Sequence, residues 1–339
     1  MKNRLIILCV LLQVAVLGWM AGSREWIVRH GETVWLRTAP VDPSDPMRGD
    51  YVTLNYEIAN PDRKLYSLAL QGRLAALDNH WGRRQEVTVY VALEAVGKSP
   101  ARAVSVDLQP PARRPFIKGV CGGDRSWRWR GNIRYGIDAF FLQQGTGGRL
   151  EQPARDGIPL EMEVALGRDG TAVIKGYRLA ALGMQIQEKR EKRPEDSKDY
   201  RPQPLIGLEV VFFNTTDADL AVVLPPDAST LIPRPAWGED EQLIRRQAGK
   251  PAQTVFTDSD LKVVPAHGRI AITIDPRQWW SVKDANGKWV PFGPGKEYRY
   301  FNYRIEYQPP PPAGLAALSK ASQVSPDSIL SARTFNFSE

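Results

Sequence analysis

Four carboxylates in one short stretch are the residues best placed to do chemistry: Asp42, Asp45, Asp50 and Glu57. Converging oxygen ligands of this kind could hold Ca²⁺. In a cleft they could instead supply the acid and base of a hydrolase. The Asp spacings of three and five do not reproduce an EF-hand loop, however, and a simpler reading accounts for every residue. Pro40, Pro43 and Pro46 stiffen a connection between two strands, and Asp42 and Asp45 accept backbone N–H bonds in Asx turns. Gly49 permits positive φ, Asp50 opens the next strand, and Arg48 is close enough in sequence to pair with Asp45 or Asp50. Turn architecture therefore takes precedence over a ligand or partner surface. No catalytic residue, metal site or cofactor is assigned.

Other candidates are weaker. Ser44 lacks a following lysine in a general-base position, so a Ser–Lys hydrolase is disfavoured. His30, His80 and His267 are scattered and have no paired ligand spacing. Gly145-Thr146-Gly147-Gly148 has no Lys-Ser/Thr after it and reads as a hairpin turn. One charge excess does stand out. From Arg113 to Arg134, the cations Arg113, Arg114, Lys118, Arg125, Arg128, Arg130 and Arg134 face Asp124 alone. Trp127 and Trp129 alternate with arginine there, as in a strand with Trp inward and Arg outward. Outside a membrane such a patch suits anionic lipid, a cell-wall polymer or an acidic partner. Nucleic acid is disfavoured by the export signal described next.

Leu5–Gly22 carries no charge, and 18 residues at ~1.5 Å each span about 27 Å, close to a hydrocarbon core. Lys2 and Arg4 precede it, which places the N-terminus in the cytoplasm and the bulk outside, periplasmic if the membrane is an inner membrane. Trp19 suits the far interface. A cleaved secretory signal is the rival, but Trp19 and Met20 fit a cleavage site poorly. A retained single-pass anchor is therefore expected.

The 339 residues allow about two domains. Twenty-eight Gly and 27 Pro alongside 31 aromatic residues favour short strands and turns over long helices. The net charge of +7 favours anionic surfaces without implying nucleic acid. Cys9 lies in the apolar run and Cys121 in the exported part, so no disulfide framework is expected and Cys121 reads as a small buried side chain.

Alternation predicts strands at Thr33–Thr38, Tyr51–Ile58, Val87–Val96, Leu160–Leu166 and Ala172–Leu179. A short helix is predicted over Ser67–Leu77. Gln187–Pro204 holds 11 charged residues and three prolines in 18, and reads as a linker (residues 188–202) between a β-rich domain (23–187) and a second domain (203–339). Some seven short strands in the latter suggest an immunoglobulin-like sandwich, with a helical excursion at Trp237–Gly249. The fold class is mainly β behind an N-terminal transmembrane helix.

Gly49-Asp50-Tyr51-Val52-Thr53-Leu54-Asn55-Tyr56 matches every specified letter of the pattern that names the GDYXXLXY protein family, which Gly31–Ile58 resembles. Ile133–Glu151, with its Arg134-Tyr135-Gly136-Ile137 start, and Asp169–Leu182 are similar to later family segments. The resemblance covers residues 1 to about 185. Gln143-Gln144 departs from the usual Pro-Glu, and residues 200–339 exceed the family's usual extent. The resemblance implies a membrane-anchored, exported bacterial protein without an established activity, often encoded beside a multi-span membrane protein. The expected function is an extracytoplasmic interaction or scaffold role with such a membrane protein as partner. The alternative is an envelope hydrolase or saccharide-modifying enzyme using the motif carboxylates.

Overall fold

The computed structural model describes residues 2–39, 51–78, 86–122, 133–141, 153, 157–192, 205–235, 244–247, 249, 252–283, 287–291 and 302–336. The protein is mainly β, with one long apolar helix at the N-terminus. Two compact units emerge. The first comprises Met1–Thr38, Tyr51–Phe141 and Glu161–Arg178, and the second comprises Ala39–Asp50, Leu142–Leu160 and Leu179–Glu339.

In the first unit, helix α1 (Lys2–His30) leads directly into β1 (Glu32–Ala39). Then come β2 (Tyr51–Thr53), β3 (Asn55–Tyr56), α2 (Leu68–Asp78), β4 (Glu86–Glu94), β5 (Arg102–Asp107) and β6 (Phe116–Gly122). The unit closes with β7 (Ile133–Arg134), β8 (Ala139–Phe141), β9 (Leu160–Leu166) and β10 (Ala172–Leu179). They form two four-stranded sheets, β10-β9-β1-β3 and β5-β4-β6-β7, and a β2-β8 pair. The apolar alternation sets the faces: Val34 and Leu36 of β1 lie opposite Val164 and Met162 of β9, and all four are buried. The other face of the same two strands carries Trp35 and Arg37 opposite Glu163 and Glu161. The single strand expected over Tyr51–Ile58 is broken. Leu54 leaves the ladder to donate its N–H to the Asp138 carbonyl (2.8 Å), and Glu57–Ala59 closes into a 3₁₀ turn.

The second unit contains β11 (Leu182–Arg190), β12 (Leu205–Asn214), β13 (Leu220–Val223), β14 (Leu231–Pro235), β15 (Ile244–Arg246), β16 (Leu261–Val264) and β17 (Arg269–Ile274). Next come α3 (Pro276–Trp279), β18 (Trp280–Lys283), β19 (Trp289–Pro291), β20 (Asn302–Tyr307), α4 (Pro312–Leu315), β21 (Ile329–Leu330) and β22 (Phe335–Asn336). Among the described residues these strands form four small sheets around a shared apolar core that includes Met184, Phe212, Trp280, Tyr303 and Tyr307. Among the described residues, the hydrogen bonding does not draw the two-sheet division of an immunoglobulin-like sandwich. Pro233 and Pro235 in β14 cannot donate to a ladder.

The structure differs from the sequence reading at two places. The described flanks of the charged stretch at 188–202 belong to one sheet. β11 runs through Arg190 and pairs antiparallel with β12, so the stretch joins two strands of one sheet. The buried half of β11 is Leu182–Ile186, and its charged end is solvated. There Lys189 pairs with Glu209 (3.1 Å) and Arg190 with Glu188 (2.8 Å). The division falls instead at Arg178/Leu179. The second difference is local: Ile244–Arg246, inside the expected helical excursion, is a strand paired with β18.

Candidate functional site

The two motif segments meet in the first unit. β2 pairs antiparallel with β8, with Tyr51, Val52 and Thr53 opposite Phe141, Phe140 and Ala139. Just beyond, two tyrosines exchange hydrogen bonds with the backbone of each other's segment. The Tyr56 hydroxyl donates to the Ile137 carbonyl (2.9 Å), and the Tyr135 hydroxyl donates to the Ile58 carbonyl (2.6 Å). Their rings meet edge to face, 6.4 Å apart at 74°. Gly136, between Tyr135 and the accepting Ile137, has φ +73°, which a side chain would strain. Leu54 is buried beside them.

Burial holds both phenols protonated. It pushes Tyr56 far above the usual tyrosine range, and the Asp138 charge adds to the shift. Tyr135 also rises, through burial first and then through the neighbouring Tyr66, Cys121 and Asp138. A buried phenol that donates to a carbonyl is a structural clasp and a poor nucleophile. Each hydrogen bond should contribute ~1 kcal/mol, so Tyr56→Phe and Tyr135→Phe each cost about 1–2 kcal/mol in chemical denaturation. The double variant should fall short of additivity because the pair share one contact. The pH sign also follows. Unfolded tyrosines ionise near pH ~10 while the folded ones stay protonated, so this stability is intact below about 10 and declines as pH rises above it. Tyr56→Phe should flatten that alkaline decline.

The other motif residues are placed as follows. Arg134 is exposed and pairs with the exposed Glu86, an arrangement of little energetic weight. Glu57 is exposed at the start of its 3₁₀ turn. Asp42, Asp45, Arg48, Gly49 and Asp50 lie outside the described residues, as does the side chain of Tyr51. Of the basic patch, Arg113, Arg114 and Lys118 are exposed, while Arg125, Arg128 and Arg130 lie outside the described residues.

Sequence reasoning missed a buried ionic group on the polar face of the β1-β9 sheet. Glu161 is 2% exposed and Arg37 5%. Oε1 of Glu161 accepts from Nε (3.1 Å) and Nη2 (2.7 Å) of Arg37, and Oε2 accepts from Nε of Arg178 (2.7 Å). The Arg178 guanidinium also stacks 3.9 Å from the centre of the Trp35 ring and donates to the Lys98 carbonyl. Both Glu161 oxygens are thus engaged by guanidinium groups, which suits a rigid structural tie better than proton transfer. Strand parity could have put Arg37 and Glu161 on polar faces, but nothing local signals that they would be opposite one another.

Of the remaining candidates, Ser44, His80 and residues 145–148 lie outside the described residues, and the others have ordinary surroundings. His267 pairs with Asp217 at the surface (2.8 Å), and His30 stacks on Trp26 (4.0 Å between centroids). Cys121 is buried, and burial pushes its thiol up. Among the described residues, no three His, Cys, Asp or Glu side chains gather as a metal ion would need.

Residues 13–176 match a family model described as GDYXXLXY protein. This segment is a GDYXXLXY-family domain. Its match ends two residues before the first unit does, so the family domain and the compact unit share a C-terminal boundary at β10. Within the GDYXXLXY segment, the Leu54 and Tyr56 letters of the motif hold the Ile137-Asp138 backbone between β7 and β8. No curated protein and no solved structure matches the chain.

Proposed function

We propose that this chain is a membrane-anchored extracytoplasmic interaction or scaffold protein whose partner is a multi-span membrane protein. The observation that carries the reading is the junction between α1 and β1. Ile6–His30 is apolar enough to cross a membrane, with a mean hydropathy of 2.2 in its best window, and that window is 0% buried. Only Gly31 separates this helix from the first core strand. Its N–H donates to the Ile27 carbonyl (2.7 Å), and a Cβ there would lie 2.5 Å from the Ile27 oxygen and 2.8 Å from the Leu166 oxygen. A helix wedged into its sheet without a tether holds the domain at a fixed height, which suits lateral docking to another membrane protein. The basic Lys2 and Arg4 before the apolar run favour a cytoplasmic N-terminus and an exported bulk. Tyr56, Tyr135 and Glu161 are consumed by the fold, which supports interaction over catalysis.

Photocrosslinking in intact membranes tests this. A photoreactive residue at the exposed Thr53 or Glu57 should capture one integral membrane protein reproducibly.

A further inference from the structure

The fold places a basic surface at the level where α1 leaves the bilayer. The charge-free run ends at Gly22, and at ~1.5 Å per residue Ile27 stands about 7–8 Å beyond it. A headgroup layer is roughly 5–8 Å thick on each side of the hydrocarbon core, so Ile27 lies within it. Ile27 packs on the β9–β10 turn: its Cγ1 and Cδ1 are both 3.2 Å from where a Gly167 Cβ would sit. That turn is therefore at headgroup height as well.

Two other segments are tied to it. The Arg114 guanidinium donates to the Arg168 carbonyl (2.6 Å), and the Lys118 N–H donates to the Gly170 carbonyl (2.9 Å). Glu32, Arg114, Pro115, Phe116, Leu166 and Gly167 line one shallow concavity at this place. The exposed cations here are Arg113, Arg114, Lys118 and Arg168, with Arg24 and Arg29 on the helix itself. The carboxylates among them are fewer. Glu25 is held by Arg29 (2.6 Å), and Asp169 caps Thr171 through its backbone N–H (3.1 Å) and hydroxyl (2.7 Å). Glu32 is exposed.

From this placement we infer that Arg113, Arg114, Lys118 and Arg168 bind the phosphodiester headgroups of anionic lipids in the leaflet from which α1 emerges, so that the membrane surface orients the domain. The inference rests on the retained-anchor reading above. Height and charge together favour lipid over a soluble polymer, because the cations sit at the headgroups of the bilayer that the helix spans.

The test uses the full chain reconstituted in phosphatidylcholine vesicles with and without about 30% phosphatidylglycerol. Amide hydrogen exchange over residues 109–116 and 167–171 should slow about threefold or more in the anionic vesicles. The effect should vanish near ~0.5 M salt, where screening is strong. It should also vanish in Arg113→Gln/Arg114→Gln/Arg168→Gln, while residues 87–91 of β4 in the same unit exchange alike in every sample and report an intact fold. Equal exchange in both lipids, or protection insensitive to salt, would overturn the inference. So would protection by a soluble polyanion in neutral vesicles matching that by phosphatidylglycerol. Carbonate washing separates the two levels: loss of the chain from the vesicles defeats the anchor and this inference together, while retention without protection defeats the inference alone.

Discussion

Glu161→Ala lowers the stability of the first unit by ~3–5 kcal/mol, the cost of removing one partner from a buried ion pair. The magnitude follows from where the charges are. With the carboxylate gone, the Arg37 guanidinium, only 5% exposed, keeps its charge in the interior without the group that neutralises it. Arg178 suffers less, because its side chain is 34% exposed and it retains the Trp35 ring and the Lys98 carbonyl. Arg178→Ala should therefore cost well under half as much. Replacing the inner pair together, as Arg37→Met/Glu161→Met, should recover most of the loss, since apolar side chains of similar volume often substitute for a buried pair at little net cost. Chemical denaturation of the purified chain measures all three. A loss below ~1 kcal/mol for Glu161→Ala would show that the pair is solvated, contrary to its burial.

Gly31→Ala gives the second large effect, and here the physics is steric. The added methyl would stand 2.5 Å and 2.8 Å from two backbone oxygens, Ile27 and Leu166, neither of which can rotate away. Either the last turn of α1 unwinds, breaking the Gly31 N–H to Ile27 bond, or the Glu32–Leu166 end of the β1-β9 ladder opens. Overpacking of this kind costs ~1–3 kcal/mol, and the fixed junction is lost in either case. Amide exchange should rise at residues 28–34 and stay unchanged in β12. The same substitution at Gly72, where a Cβ meets nothing within 4 Å, should instead stabilise by up to ~1 kcal/mol through helix propensity. Unaltered exchange around residue 31 in Gly31→Ala would mean that the helix and sheet are not rigidly joined.

Local pattern was enough to locate most single elements. Strands β1, β4, β9 and β10 follow from apolar alternation, and α2 from the run Ser67–Leu77. What depends on register between distant strands was not legible. Arg37 and Glu161 are 124 residues apart, and Tyr56 and Ile137 are 81 apart. Their meeting is set by sheet order, which has no local signature. The charged stretch after Gln187 is a related case. Its composition carries no sign that the strands flanking it pair, Gln185 with Val211 and Gln187 with Glu209. Within the motif, the alternating letters suggested one continuous strand. The tyrosine clasp and the Leu54 bond to Asp138 require it to break.

The most direct test of a membrane-anchored interaction protein is mass spectrometry of the species photocrosslinked in intact membranes. The account predicts one integral membrane protein joined to a chain that still yields peptides from residues 5–22, with the adduct retained after carbonate washing. A chain beginning near Ser23, released by the wash and carrying no membrane-protein adduct, would contradict it.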